Sequence, residues 1–464
     1  MLVALIWGCS GGGGPAKDGG TTDTDAPVPA LALSEPSWRL HEEFGSMPIV
    51  TWTQSMDATV RVEVEIDPGE WTSSPPIEGF TGENEQTIPG VPYHTTAAWR
   101  VVSDDGLVVL DGEPLTTEKV PEGLPKARVT VSEPDRWLPE GKFLLTSINE
   151  REGGWTGGTY WTLILDRQGR TVWAKQTPQN HWTLFATLDR DGRSFWWDEQ
   201  TYWASLGTDL GRKSTLHHVW LDAEIEEVPT PGLHHAWVQL PDGTLAWGSR
   251  AHGGIEALVQ RVPGQADETV LWTCEDDWPG SGDCESNGLF YVEATDSFLY
   301  SFYTNDSIVE IDRQSGESLW WAGEVPGGYA FSPERSRYLW QHGISYTPTG
   351  TLLLSSEWDG GKDPHGRCVW LNQLCTTWLM EYEVDPVTRE LRAVWVDDSE
   401  VLADTNGQAW RLTNGNTLHV VGSAGVVREV DTATGDDVWR VDFRSNRLLG
   451  AGQLIDDLYA LLQP

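Results

Sequence analysis

His235 and His342 each stand eight residues ahead of a turn glycine, Gly243 and Gly350, in two stretches that read as one element used twice. The first runs Gly232-Leu233-His234-His235-Ala236-Trp237-Val238-Gln239-Leu240-Pro241-Asp242-Gly243, the second Gln341-His342-Gly343-Ile344-Ser345-Tyr346-Thr347-Pro348-Thr349-Gly350. In the stretch between them the corresponding place is held by Cys284-Glu285-Ser286-Asn287-Gly288, with Asn287 nine residues before Asp296. The two-residue period of a strand puts Glu285 and Asn287 on one side. An unprotonated imidazole nitrogen can attack an electrophile, and a second imidazole can carry the proton that such a reaction moves. The candidate constellation is therefore His235, Glu285, Asn287 and His342, with His181 joining from an earlier segment. The alternative for each ring is a plain hydrogen bond at a channel wall. Two histidines and one carboxylate make a poor metal set, so no metal is expected. The chain has no phosphate-cradling glycine loop before a helix, no His-Glu-x-x-His and no Gly-x-Ser-x-Gly, and no cofactor is expected either. His217, His218, His234 and His252 read as loop or surface residues.

Something must bring segments a hundred residues apart to one place, and the sequence shows what. Gly192, Gly243, Asp296 and Gly350 follow one another at intervals of 51, 53 and 54 residues, with Gly415 a further 65 on. A second marker keeps the same register: Val309-Glu310-Ile311-Asp312 leading to Trp320 is matched by Glu429-Val430-Asp431 leading to Trp439. Looser copies run from Tyr382 to Trp395 and from Leu163 to Trp173. Alternating apolar residues, a polar turn and a strand ending in Trp describe the outer hairpin of a four-stranded propeller blade. Residues 127–464, at roughly fifty to sixty per blade, make about six blades. The innermost strand of each blade lines a central channel, so residues that open that strand gather at one mouth. Ahead of the repeat, residues 32–121 hold Ile49–Trp52, Val60–Val64, Thr95–Val102 and Pro114–Thr117, short strands broken by Gly and Pro turns, which indicate a small β-sandwich. Its early Trp-bearing strand resembles fibronectin type III. The expected fold is all-β, a six-bladed β-propeller preceded by a small β-sandwich, with Gly452 to Leu462 as a short terminal helix.

Lys and Arg number 31 against 70 Asp and Glu, and the resulting net charge of -39 repels a phosphate backbone at long range, which argues against nucleic acid as a partner. The 27 Trp suit flat packing between stacked sheets, with a minority left to line a pocket. Cys9 follows the apolar run Leu2 to Gly8 and precedes four glycines, the arrangement of a bacterial lipoprotein signal over residues 1–9 followed by a flexible tether over 10–31. No basic residue precedes the run, and Trp7 sits where a small residue is usual. Cys274 with Cys284 and Cys368 with Cys375 form close pairs that suit disulfides in an oxidising compartment; spacings of ten and seven are not zinc-ligand spacings. These features predict a cell-envelope protein, lipid-anchored through Cys9 on the periplasmic or outer surface.

The repeated stretches resemble the bacterial arylsulfotransferase family, clearly from Leu233 to about Trp395 and weakly elsewhere. The matching residues are His235 with its strand and turn, Asp277-Trp278 followed by Glu285-Ser286-Asn287-Gly288, Ser301-Phe302-Tyr303, and Gln341-His342. The family has a histidine where Glu285 stands and an arginine where Tyr303 stands. The resemblance implies a six-bladed propeller that moves a sulfuryl group from an aryl sulfate to a phenol. It makes His342 the nucleophile and His235 the residue that binds sulfate oxygens or shuttles the phenolic proton. Glu285, Asn287, Tyr303 and His181 would contact a small aromatic or sulfated substrate. The competing expectation is a propeller that binds an envelope ligand without turnover, because a carboxylate and a lost guanidinium weaken anion handling.

Overall fold

A computed structural model describes residues 30–151, 158–203, 209–278, 284–358, 360, 375–443 and 447–464. The signal, Cys9, most of the tether and Cys368 lie outside them. Among the described residues the fold is all-β and propeller-like, with three short 3-10 turns and no α-helix.

The N-terminal strands form two sheets around a core of their own. Leu33–Leu40, Pro48–Gln54 and Gly82–Thr87 make one; Ala58–Asp67, paired with Thr96–Ser103, centres the other. Alternation does the work in Ala58–Asp67: Val60, Val62 and Val64 are buried, with Arg61 and Glu63 on the other face. They pack on Val50, Trp52, Trp99 and Val101. This unit is docked rather than tethered. Phe44 and Met47 enter the core around Trp173 and Phe195, Ser46 Oγ donates to Val172 O at 2.7 Å, and Arg170 pairs with Asp67 at 2.8 Å.

The remaining strands form six sheets; four are built from strands consecutive in sequence, and each of the other two takes in one strand from a distant part of the sequence. The first strands of the six are Ala186–Leu188, Leu233–Gln239, Ser286–Val292, Leu339–Tyr346, Gln408–Arg411 and Leu449–Ile455. All six contribute to the wall of a single cavity of about 470 Å³. The markers of the repeat fall where the sequence puts them. Val309 and Trp320, and Glu429 and Trp439, sit on the third and fourth strands of their sheets. Gly192, Gly243, Asp296, Gly350 and Gly415 close the turns between first and second strands with φ of 69°, 80°, 50°, 84° and 91°. Each of these turns needs a left-handed residue, which explains why only Gly and a short polar side chain recur there. The strand-ending Trp residues bridge to the neighbouring sheet: Trp439 Nε1 donates to Arg167 O at 2.9 Å, and Trp173 Nε1 to Leu221 O at 3.0 Å.

The expected helix over Gly452–Leu462 is not formed. Leu449–Ile455 is instead a strand paired with Phe143–Asn149, and only Tyr459–Leu461 turns as a 3-10 helix. Tertiary pairing overrides a weak local preference, and Gly450 explains part of it: a Cβ there would stand 2.1 Å from Leu184 O.

Candidate functional site

His235, Glu285, Tyr303 and His342 line one cavity of about 350 Å³, together with Trp203, Asp404 and Thr405. His342 and His235 come from first strands of different sheets, Glu285 from the residue before a third first strand, and Tyr303 from the residue after the strand paired with it. Four of the six residues singled out by spacing and resemblance therefore meet.

The other two do not reach the cavity. Asn287 is buried behind the wall, where Nδ2 donates to Gln341 O at 2.6 Å and Oδ1 accepts from Ser301 Oγ at 2.8 Å. A register shift between Ser286 and Gly288 breaks the alternation that would have set Asn287 beside Glu285. Its effect on the site is indirect: it holds the backbone at Gln341, next to His342. Gln341 in turn donates to Ser301 Oγ, Phe302 O and Ser307 O. His181 lies ahead of its sheet's first strand and pairs with Glu199, away from the two cavity histidines.

His342 is held in one tautomer. A carbonyl only accepts, so the 2.8 Å contact between Nδ1 and Trp340 O places the ring hydrogen on Nδ1 and leaves Nε2 with its lone pair. Burial pushes its pKa down to about 4, against the opposing pull of the Trp340 carbonyl and the Asp404 charge. At neutral pH the ring is uncharged, with the Nε2 lone pair in a cavity wall.

His234 proves to be no surface residue. It is fully buried, with Nδ1 2.9 Å from His235 Nδ1 and Nε2 2.9 Å from Glu256 Oε2. A shift in pairing between Leu233 and Trp237 turns two adjacent rings toward each other, which a regular strand would send to opposite faces. Glu256 is buried too and also receives Ser286 Oγ at 2.8 Å, Tyr300 OH and Arg250 Nε at 3.1 Å. Burial raises its pKa, but His234, Arg250 and Tyr300 outweigh that and hold it below the usual value, so it is an ionised acceptor. With its Nε2 hydrogen given to Glu256, His234 can accept on Nδ1. In that arrangement His235 donates from Nδ1. Burial drives the His235 pKa well below its ordinary value, and the charge of Arg250 pushes the same way. Glu256–His234–His235 is thus a relay of carboxylate and two imidazoles. The His-His doublet was its one visible trace in the sequence, since Glu256 lies just ahead of the strand Ala257–Arg261 in an unremarkable Gly-Ile-Glu-Ala context. Arg250 also approaches Glu285, with Nη2 3.6 Å from Oε2.

Behind His342 lies a group of carboxyls. Asp306 Oδ1 accepts from Trp340 N at 2.6 Å, and Glu357 is buried with Oε1 lacking a hydrogen-bond partner among the described residues. Burial raises Glu357 from 4.5 to about 9, with Asp404 and Asp306 adding repulsion. A folded-state pKa above the unfolded one means stability that is complete below pH 4.5 and is lost as pH rises through 9. Glu357→Gln is accordingly expected to melt with the parent protein at pH 4 and several degrees above it at pH 9. Melting curves at the two pH values check this.

Cys274 and Cys284 form a disulfide, and Cys375 is also disulfide-bonded; its expected partner Cys368 lies outside the described residues. No helix among the described residues is long and apolar enough to cross a membrane. No family model matches the chain, and neither does any curated protein. Among solved structures it is similar to a protein of unknown function from Bacteroides caccae at 12% identity, over 64% of this chain and 92% of that one, with a TM-score of 0.41. It is also similar to the Cps50 (Swd1) β-propeller domain of Myceliophteria thermophila at 12% identity, over 68% and 86% of the two chains, with a TM-score of 0.37. Virginiamycin B lyase from Staphylococcus aureus is similar at 10% identity, over 57% and 71%, with a TM-score of 0.34.

Proposed function

We propose that this protein is a small β-sandwich followed by a six-bladed β-propeller, and that the cavity at His342 transfers a sulfuryl group from an aryl sulfate to a phenol. The reading rests on one observation above the others. His342 is fixed with Nε2 unprotonated in the wall of a cavity that it shares with a second, relay-supported imidazole. In the first half-reaction Nε2 attacks sulfur, the N–S bond forms, and the S–O bond to the aryl group breaks with its electron pair leaving on the phenolate. In the second, His235 Nε2 takes the proton of the acceptor phenol, the phenolate oxygen attacks sulfur, and the N–S pair returns to His342. The proton taken from the acceptor is the one the departing phenolate of the donor requires, so the cycle balances.

A second reading, a propeller that binds an envelope ligand without turnover, is favoured by Glu285 in the cavity wall and by the placement of Arg250 between Glu256 and Glu285. Carboxylates there oppose the negative charge that develops on transferring oxygens. Incubating the protein with an aryl sulfate and a phenol, then seeking an acid-labile adduct on His342 by mass spectrometry, tests the first reading. If the wild type is silent and Glu285→His with Tyr303→Arg transfers, the site is an enzyme that has lost its anion handling; silence from both leaves the binding reading. The envelope location through a lipid on Cys9 belongs to the same proposal, and loss of detergent partitioning in Cys9→Ser would support it.

A further inference from the structure

A second cluster, remote from the cavity, carries donors of a different kind. The strand Glu224–Pro229 pairs with Thr215–Val219, and the register shifts between His218 and Val219. Residues three apart face opposite sides of a regular strand, but this bulge turns Glu224 and Glu227 to the same side. His217 Nδ1 lies 3.1 Å from Glu224 Oε1 and 3.9 Å from Glu227 Oε1, and one donor atom from each of the three falls within 4.8 Å of the others. The far side of the ring is prepared as well. Nε2 is buried and faces Glu199 Oε2 at 3.5 Å, while the ring is stacked on Trp197 at 4.1 Å and 7°. Glu199 itself is held by His181. A cavity of about 470 Å³ gives access.

We propose that His217, Glu224 and Glu227 bind a divalent cation of borderline softness, of which zinc is the probe. Nδ1 and the two carboxylates supply three ligands, and solvent completes four-coordination. A metal-bound imidazole donates its other N–H to a carboxylate or carbonyl, which is the position Glu199 occupies. The site stands independently of the sulfuryl-transfer reading, because none of its residues touches the His342 cavity.

The test is calorimetric titration of the untagged, chelator-stripped full chain with zinc chloride. One zinc per chain is expected, weakened by at least about 100-fold in His217→Asn and in the double variant Glu224→Gln, Glu227→Gln, and by about tenfold in Glu199→Gln. The side chains of Glu224 and Glu227 are 51% and 63% exposed, so the double variant should melt with the parent, and melting curves confirm that the loss is not unfolding. His252→Asn serves as a control that leaves binding unchanged. Absence of saturable zinc binding overturns the proposal, as does unchanged affinity in His217→Asn. Calcium prefers all-oxygen sites, and binding calcium more tightly than zinc would overturn the assigned donor set.

Discussion

His342→Asn is expected to abolish the acid-labile adduct and to lower transfer from an aryl sulfate by about 10³-fold or more, the scale on which loss of a nucleophile acts. Asparagine can still donate an N–H toward Trp340 O, the contact that His342 makes at 2.8 Å, while offering no basic nitrogen where Nε2 stood. The variant should therefore fold and bind with little change, so the loss appears in kcat rather than KM. His235→Asn makes the complementary case. It should still form the adduct and stall in the second half-reaction, by about 10²- to 10⁴-fold, because only the acceptor needs a base. An adduct that survives in His342→Asn sinks the nucleophile assignment. Equal adduct loss in both variants sinks the division of roles.

Deleting Leu449–Pro464 is expected to leave a chain that does not fold cooperatively. Its strand is the first of a sheet whose other members begin at Phe143, so the two ends of a stretch of some three hundred residues are joined by backbone hydrogen bonds. Gln453 Oε1 receives Leu188 N and Thr187 Oγ1, both at 2.8 Å, and Gly452 N donates to Gln408 Oε1 at 2.7 Å, so one strand ties three sheets. Leu449, Ile455, Leu458 and Leu461 are buried, and losing each forfeits about 2 kcal/mol. Together with the unpaired edge of Phe143–Asn149, that is comparable to the whole net stability of a domain, about 5–15 kcal/mol. Circular dichroism melting and solubility report the outcome. A truncated chain that melts within about 5 °C of the full protein would contradict it.

The parts of the fold that were legible in the sequence are those where the backbone permits few residues. A left-handed turn admits Gly or a short polar side chain, so Gly192, Gly243, Asp296, Gly350 and Gly415 announced the repeat, and counting back from two of them placed His235 and His342 in the same cavity. What escaped were irregularities of register, which leave no trace in an alternation pattern. One slip took Asn287 off the wall, another brought His234 onto His235, and a third gathered Glu224 and Glu227 around His217. Glu256 was invisible for another reason: an isolated acid in a connection ahead of a strand looks like a solvent-facing residue until its four partners are seen. Trp203, Asp404 and Thr405 reach the cavity from connections whose paths no periodicity encodes.

The strand that carries His342 is irregular on both sides of it, with pairing shifts between Leu339 and His342 and between His342 and Ser345. Trp340 sits at φ 43° with its N–H bound to Asp306, and Gly343 sits at φ 55° where a Cβ would stand 2.2 Å from Gln408 Cα. Backbone in such conformations persists only where its surroundings dictate it. The imidazole is thus clamped before any ligand arrives, and the entropy of orienting it has been settled during folding. An incoming molecule needs to align only itself.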